Sequence, residues 1–286
     1  MKRITLSFLS AIILLALVLG ACAPQATATP AADVPADGYP ATDAGQAAVD
    51  SAEGYPAADA SADATTVRVA TDATFPPFET VDENTKELAG FDIDLMNAIA
   101  AKANLKIEWI NTGFDALETG IGQCQYDAII SAMTITDARK NAMLFSDPYT
   151  KAGQILTVRI DEANIKTKDD LGGHKVGAQI GTTGAIEAGK IDGAELKTYD
   201  SYDLAFVDLM NGQIDGVIAD NPTAIIFVQQ YSDKLMTIGD VFTDEAYGIG
   251  VCKTMPELLD KINAGLAEVV KDGTMDQLNA KWLEVK

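Results

Sequence analysis

The sequence is poor in the residues that most often carry chemistry or bind nucleic acid. It has one histidine, His174, and three cysteines among 286 residues. Aspartate and glutamate outnumber lysine and arginine by 42 to 21, which gives a formal net charge of −21. This excess of negative charge argues against nucleic acid and anionic lipid surfaces as partners. His174 lies in a polar turn, where we expect it to be solvated.

Motifs of catalysis are also missing from the sequence. It contains no Gly-x-Ser-x-Gly elbow, phosphate-binding loop, dinucleotide fingerprint or cluster with metal-ligand spacing. Catalysis usually needs an activated nucleophile or an acid–base pair with pKa values near neutrality. The sequence therefore predicts a protein that is not an enzyme and that needs no cofactor and no metal.

The sequence has a single long apolar run, at residues 4–19, which follows a short basic segment at the N-terminus. The run is short for a membrane span and has the layout of a secretory signal. It leads into Leu-Gly-Ala-Cys, which resembles the lipobox of bacterial lipoproteins. We predict a lipoprotein signal peptide over 1–21, with acylation of Cys22 anchoring the chain outside the cytoplasm. The alternative is an ordinary signal cut after Ala21 or Ala23.

The segment that follows has almost no means of forming a core. Residues 23–65 contain no Lys, Arg, Phe, Leu, Ile or Trp, and Gly-Tyr-Pro-Ala occurs twice, at 38–41 and 54–57. Such a composition cannot bury enough apolar surface to offset its ordering entropy. We predict a disordered tether, rich in Ala, Pro and Asp, over 22–65.

Two cysteines remain in the folded part, Cys124 and Cys252. They lie far apart in the sequence and lack metal-ligand spacing. Export would allow a disulfide between them. We favour the alternative of two buried free thiols.

The remainder of the chain alternates strands and helices, which is typical of doubly wound α/β sheets. One helix, over 202–210, carries Leu204, Val207 and Met210 on one side. A local echo relates 122–130 to 212–218, as two half-size α/β units would. Apolar periodicity predicts strands over 67–70, 106–110, 127–133, 155–160, 175–178 and 214–219, and helices over 91–104, 115–121, 183–188 and 202–210.

Ligands of open α/β sheets bind at the carboxyl ends of the strands. The residues that follow the predicted strands include one cation, two aspartates, hydroxyl clusters and aromatic rings, a set that suits a zwitterion with a side chain. They are Asp72, Phe75, Phe78, Ser131, Thr134, Arg139, Gln179, Thr183 and Asp220.

The same segments resemble a known family, the bacterial extracellular solute-binding proteins of family 3. These serve ABC importers and include histidine, lysine/arginine/ornithine and glutamine binders. The resemblance covers residues 67–286. Its motifs are TDATFPPFE at 71–79, GFDIDL at 90–95, MTITDAR at 133–139, FSDPY at 145–149, GTT at 181–183, AD at 219–220, DGT at 272–274 and KW at 281–282.

The resemblance implies a periplasmic-binding-protein fold of type II. In that fold, two doubly wound lobes are joined by two hinge strands and close on the ligand. The implied boundaries are 66–154 plus 252–286 for lobe 1 and 160–246 for lobe 2, with hinges near 155–159 and 247–251.

The resemblance also implies roles for single residues. Arg139 would clamp the α-carboxylate of an amino acid, since its planar fork pairs both oxygens; otherwise it is a surface helix arginine. Thr183, at a helix N-terminus, would add a carboxylate contact from the other lobe. Asp220 would hold the α-ammonium group, or else only form a turn. Further contacts to the ammonium and side chain would come from Ser131, the backbone of Ala132, and Thr134.

The side chain of the ligand would be read by four residues. Phe75 and Phe114 would form aromatic walls that stack on this side chain. The alternative is that they pack in the core, as most phenylalanines do. Asp72 and Gln179 occupy the positions that select the side chain, and a carboxylate there repels acidic ligands. Glutamine-type relatives carry lysine in place of Gln179 and histidine in place of Ala219, so we expect arginine, lysine, ornithine or histidine first and glutamine second.

The expected partners are a free L-amino acid, an ABC permease and its ATPase. The protein would be a monomer that touches the membrane only through its N-terminal lipid. Two other classes stay open. A few relatives of this fold are amino-acid dehydratases of the cyclohexadienyl type, and others are ligand-sensing modules, usually fused to a membrane span and a signalling domain.

Overall fold

The computed structural model describes residues 64–284. The predicted signal over 1–21, Cys22 and all but the last two residues of the predicted tether lie outside the described residues. Within residues 64–284, no helix is both long and apolar enough to cross a membrane.

Strands and helices alternate through the described part of the chain. The helices are α1 (Phe91–Ala103), α2 (Phe114–Gly122), α3 (Thr183–Ala188), α4 (Tyr202–Met210), α5 (Asn221–Gln230), α6 (Pro256–Lys271) and α7 (Thr274–Trp282). The strands are β1 (Thr65–Thr71), β2 (Thr74–Phe75), β3 (Glu79–Val81), β4 (Leu88–Ala89), β5 (Leu105–Asn111), β6 (Ala128–Ile129), β7 (Met143–Phe145), β8 (Thr150–Ala152), β9 (Gln154–Arg159), β10 (Lys175–Gln179), β11 (Glu195–Tyr199), β12 (Gly216–Asp220), β13 (Leu235–Ile238), β14 (Glu245–Tyr247) and β15 (Gly250–Cys252).

Two five-stranded sheets form the centres of two lobes. The first sheet has the order β5-β1-β6-β15-β7, and the second has the order β11-β10-β12-β9-β13. In each sheet the first three strands are parallel, and the fourth strand runs antiparallel to both of its neighbours. The predicted two-lobed α/β fold is confirmed, with mixed rather than purely parallel sheets. We call the first sheet and its helices lobe 1, and the second lobe 2.

The chain passes between the lobes along β8 and β14, which pair with each other in a separate antiparallel sheet. These crossing strands lie a few residues earlier in the sequence than the predicted hinges. Residues 155–159 belong to β9 of the second sheet, and residues 250–252 form β15 of the first. The sequence predicts a strand over 155–160, and apolar periodicity alone does not distinguish a hinge strand from a strand of the sheet.

The core of lobe 1 joins α1 to the C-terminal helices. Leu95 and Ile99 of α1 are fully buried, as their helical spacing predicts, and pack in one cluster with Ile262 of α6. Gly265 allows the close approach, since a Cβ there would meet the carbonyl oxygen of Ile99 at 2.9 Å. The N-terminus of α1 lies beside the segment that follows β6, because Asp92 in its first turn accepts the N–H of Ala132 at 2.7 Å.

Helix α4 has the predicted bounds, and the side that carries Leu204 and Val207 is not the side that packs. Leu204 and Val207 are 51% and 44% exposed, whereas Phe206 and Leu209 are fully buried. The ring of Phe206 stacks on Phe227 of α5 with centroids 4.2 Å apart. Both faces of α4 are apolar, and the face with the aromatic side chains is the one that packs.

The preference for free thiols is wrong, because Cys124 and Cys252 form a disulfide with their Cα atoms 5.4 Å apart. Because 128 positions of sequence separate the two cysteines, their proximity in space cannot be inferred from the sequence pattern. It arises because β15 returns to lobe 1 and pairs with β6, close to the end of α2.

Two local predictions also need correction. The helix predicted over 115–121 begins one residue earlier, at Phe114, with Gly113 as its N-cap and Asp115 in its first turn. The strand predicted over 127–133 is reduced to Ala128–Ile129, because the chain leaves the sheet and Ala132 adopts a left-handed φ of 43°.

Candidate ligand-binding site

All ten side-chain positions predicted to bind the ligand are buried, with exposures of 9% or less, and most follow the carboxyl ends of strands. They are Asp72, Phe75, Phe114, Ser131, Ala132, Thr134, Arg139, Gln179, Thr183 and Asp220.

Asp72 directly follows β1 and is fixed on both sides. Its backbone N–H donates to the hydroxyl of Ser131 at 3.0 Å, and its Oδ1 accepts from Thr74 at 2.9 Å. Burial raises the pKa of Asp72, while hydrogen bonds from Thr74 and Gln179 act against that rise. Protein hydrogen bonds therefore hold the carboxyl group of Asp72 in one orientation.

A hydrogen bond joins the two residues predicted to select the side chain. Gln179, at the end of β10 in lobe 2, donates from Nε2 to Oδ2 of Asp72 in lobe 1 at 2.7 Å. The same amide donates to the carbonyl of Asp200 at 2.9 Å. Its Oε1 is buried and has no hydrogen-bond partner within the described residues. The lobes thus touch across the site, with one acceptor left over.

Arg139 also bridges the lobes. Nη1 donates to the carbonyl of Thr134 at 2.9 Å and Nη2 to that of Gly181 at 3.0 Å. The guanidinium carbon lies 5.4 Å from the ring centroid of Phe114. Burial lowers the pKa of Arg139, and nearby acidic groups, first Glu118, oppose that shift. Its exposure of 4% rules out the surface helix alternative.

The two predicted aromatic walls differ in surroundings. Phe114 begins α2 and lies against Arg139. Phe75 packs toward lobe 2, with its ring centroid 5.6 Å from that of Tyr202. Phe75 belongs to the large apolar cluster, as core packing would predict, and still reaches the contact between the lobes.

Asp220 ends β12 and is 4% exposed. Burial and then the charge of Glu245 raise the pKa of Asp220 to about 7, against the effects of Tyr247, Gln154 and Arg139. Asp220 is the N-cap of α5 but makes no side-chain capping bond, and its Oδ1 has no hydrogen-bond partner within residues 64–284. A carboxyl used only to form a turn would be expected to bond to the helix.

Sequence reasoning missed a buried carboxyl pair below the site. Ser131 donates to Oε1 of Glu79 at 3.0 Å. Oδ2 of Asp92 accepts the N–H of Ala132 at 2.7 Å and the hydroxyl of Tyr149 at 2.8 Å. Burial and the charge of Asp92 raise the pKa of Glu79 well above its usual range. Both acids stand in the quoted family motifs, which was the available signal.

Comparison with known protein families identifies the family of this chain. Residues 67–285 match the family described as bacterial extracellular solute-binding proteins, family 3. The chain belongs to this family.

Relatives of this solute-binding protein include arginine binders. A putative ABC transporter arginine-binding protein 2 of Escherichia coli K12 is 34% identical over 227 residues, covering 77% of this chain and 92% of that protein. An ancestral arginine-binding protein bound to arginine matches with a TM-score of 0.74 and 42% identity, covering 77% and 98% of the two chains. The same kind of ancestral protein bound to glutamine matches with a TM-score of 0.73 and 43% identity, covering 76% and 97%.

An open groove of about 580 Å³ adjoins the site of this solute-binding protein at the crossing strands. Thr134 and Thr183 form part of its wall, together with a carboxylate that sequence reasoning did not select, Glu245. The other lining residues are Ile135, Thr136, Pro148, Lys151, Glu187, Thr243, Asp244 and Ala246.

Proposed function

We propose that this solute-binding protein captures a basic L-amino acid and delivers it to an ABC permease and its ATPase. Arginine, lysine, ornithine and histidine are the preferred ligands, and glutamine is second. The supporting observation is that the site contains buried hydrogen-bond acceptors that lack donors. Gln179 Oε1 and Asp220 Oδ1 are buried acceptors without partners in the described structure. Such an atom costs about 1–3 kcal/mol, so a ligand rich in N–H groups stabilises the site.

In this proposal the charges of the ligand are shared between the lobes. Arg139 of lobe 1 uses two N–H groups on carbonyls and has others for the α-carboxylate. Asp220 of lobe 2 accepts from the α-ammonium group. A cationic side chain lies near Asp72 beside Phe114, where cation–π attraction adds about 0.5–2 kcal/mol.

Closure follows from this sharing. A ligand that contacts Arg139 in one lobe and Asp220 in the other binds the closed form better than the open form. It therefore shifts the population toward closure by rotation about β8 and β14. The closed form is then the species that the permease recognises.

The names of the relatives support this ligand class. Arginine binders appear among both the curated proteins and the solved structures, and the glutamine-bound ancestral structure supports glutamine as second choice. These relatives are named as binding proteins, and we propose no reaction for this chain.

We further propose that the protein acts outside the cytoplasm as a lipid-anchored monomer. The support is the sequence at the end of the apolar run, which resembles a lipobox around Cys22. Each buried CH₂ of an acyl chain contributes about 0.8 kcal/mol, so a multiply acylated cysteine retains a domain at a membrane. Labelling with a radioactive fatty acid, lost on Cys22→Ala, tests this anchor.

Calorimetric titration of the mature chain with arginine, lysine, glutamine and glutamate tests the function. We expect the native chain to bind arginine. The Arg139→Ala substitution should weaken this binding by about 30-fold or more, since truncating one partner of a buried charge pair costs about 2–5 kcal/mol. Arg159→Ala is the matched control, because that side chain bonds to Leu209 and Ile214 inside lobe 2. Tight glutamate binding without arginine binding would contradict the proposal.

A further inference from the structure

Glu245 lies at the start of β14, one of the two crossing strands, and its carboxylate accepts four hydrogen bonds. Oε2 accepts from the hydroxyls of Thr134 at 2.9 Å and Thr183 at 2.8 Å, and from Nε2 of Gln154 at 3.4 Å. Oε1 accepts from the hydroxyl of Thr243 at 2.7 Å. One side chain thus gathers donors from both lobes and from the crossing segment.

The two threonines belong to different lobes. Thr134 follows β6 in lobe 1 and forms an isolated bridge with Tyr247. Thr183 is the first residue of α3 in lobe 2. Their hydroxyl oxygens are 3.4 Å apart and share one carboxylate oxygen of Glu245. Separation of the lobes must therefore break at least one of these bonds.

The chemistry of the cluster fixes the direction of each bond. An ionised carboxylate only accepts, and a threonine hydroxyl has a single hydrogen. Both hydroxyl hydrogens therefore point to Glu245, and the hydroxyl oxygen of Thr183 in turn accepts from Nε2 of Gln154 at 3.1 Å. Such bonds to a charged acceptor are stronger than bonds between neutral groups.

Glu245 also acts on the charged residues of the site. After burial, its negative charge is the main cause that raises the pKa of Asp220. It opposes the effect of burial on the pKa of Arg139, together with Glu118 and Asp220. A carboxylate in this position affects both groups proposed to hold the ligand.

We propose that Glu245 is a positioning residue that latches closure: it draws Thr134 of lobe 1 and Thr183 of lobe 2 onto one carboxylate oxygen. The latch orients two hydroxyls of the ligand site and favours the closed arrangement before and after the ligand binds. Its effect on affinity rests on the proposed function, whereas its effect on lobe closure does not.

The test compares two neighbouring carboxylates that line the same groove. Glu245→Ala removes the latch, and Asp244→Ala is the matched control, since Asp244 lines the groove and, within the described residues, bonds to neither threonine. We expect Glu245→Ala to weaken arginine binding about tenfold to a hundredfold, because each bond to a charged group contributes about 1.5–3 kcal/mol. Asp244→Ala should stay within about twofold of the native chain.

A structural readout separates the latch from a general loss of stability. Small-angle X-ray scattering should show a larger radius of gyration for Glu245→Ala than for the native chain, with and without arginine, and no change for Asp244→Ala. In a Thr134→Val/Thr183→Val background, Glu245→Ala should have little further effect on either quantity, because the two threonine bonds that make up the latch are already gone, while the bonds from Gln154 and Thr243 do not involve lobe 1.

The outcomes distinguish the two proposals. If the native chain binds none of the tested amino acids, the proposed function fails, and the scattering comparison still tests the latch. Glu245→Ala that stays as compact as the native chain, or whose effect is fully additive with the threonine substitutions, overturns the latch.

Discussion

In both lobes, four strands of the sheet run in one direction and the fourth in the order runs against them, and the central strands β6 and β12 occupy the same place in the sheet order. The echo between 122–130 and 212–218 therefore marks equivalent positions. The buried polar groups differ between the lobes. Lobe 1 buries the pair Glu79 and Asp92 beneath the site, while lobe 2 presents the single carboxyl of Asp220. A shared topology gives each lobe one sheet edge at the candidate site, and the two edges differ in the buried acids that they carry.

The largest expected difference between the lobes concerns the disulfide, which lies in lobe 1. The Cys124→Ser/Cys252→Ser variant should lose about 4 kcal/mol of unfolding free energy. The reason is that the cross-link restricts the unfolded chain over the 128 residues between the cysteines. Urea denaturation measures this loss. Reductant should destabilise the native chain by a similar amount and leave the variant unchanged; a variant as stable as the native chain refutes the prediction.

The second prediction is that the Asp220 carboxyl of lobe 2 lowers the stability of the ligand-free protein near neutral pH. Asp220 has a pKa raised to about 7. A raised carboxyl pKa stabilises the fold at low pH, and this contribution is lost as pH rises from about 4 through 7. Asp220→Asn should therefore raise the melting temperature of the ligand-free protein at pH 8, by about 2–4 °C per kcal/mol.

The same variant should lose arginine binding, because the amide cannot neutralise the α-ammonium group. For the native chain, arginine affinity should fall as pH drops below about 7, when Asp220 takes up a proton. Calorimetry between pH 5 and 8 measures both effects. Retained binding by Asp220→Asn would remove Asp220 from the proposed ammonium contact.

Much of this comparison could be predicted from the sequence, and the failures have a common cause. Arg139, Gln179 and Asp220 follow strands with clear apolar patterns, so the sequence alone predicts the sheet edge on which these buried residues lie. Glu245 was not predicted, because β14 has three residues and no pattern of its own. Its importance comes from Thr134 and Thr183, which are distant in the sequence. The disulfide was missed for the same reason, since nonlocal pairing creates it.

A further prediction contrasts the buried pair of lobe 1, Glu79 and Asp92, with Asp220 of lobe 2. Glu79→Gln should flatten the rise in stability toward low pH, because the raised pKa of Glu79 no longer contributes. The glutamine oxygen can still accept from Ser131. Arginine affinity should stay within about twofold, unlike that of Asp220→Asn. Thermal unfolding from pH 4.5 upward and calorimetry measure these effects; a large loss of affinity would assign the pair a direct part in binding.

The smallest expected effect concerns the two faces of α4, where both sides are apolar and only one packs. Leu204→Ala should change the unfolding free energy by no more than about 0.5 kcal/mol, because the side chain is 51% exposed. Leu209→Ala, one turn and a residue further along and fully buried, should cost about 2–5 kcal/mol. Urea denaturation of the two variants measures the difference. Equal losses of unfolding free energy would mean that the outer face of α4 is covered in solution. The reason is that the stabilisation contributed by a leucine depends on its burial and not on its position in the apolar pattern.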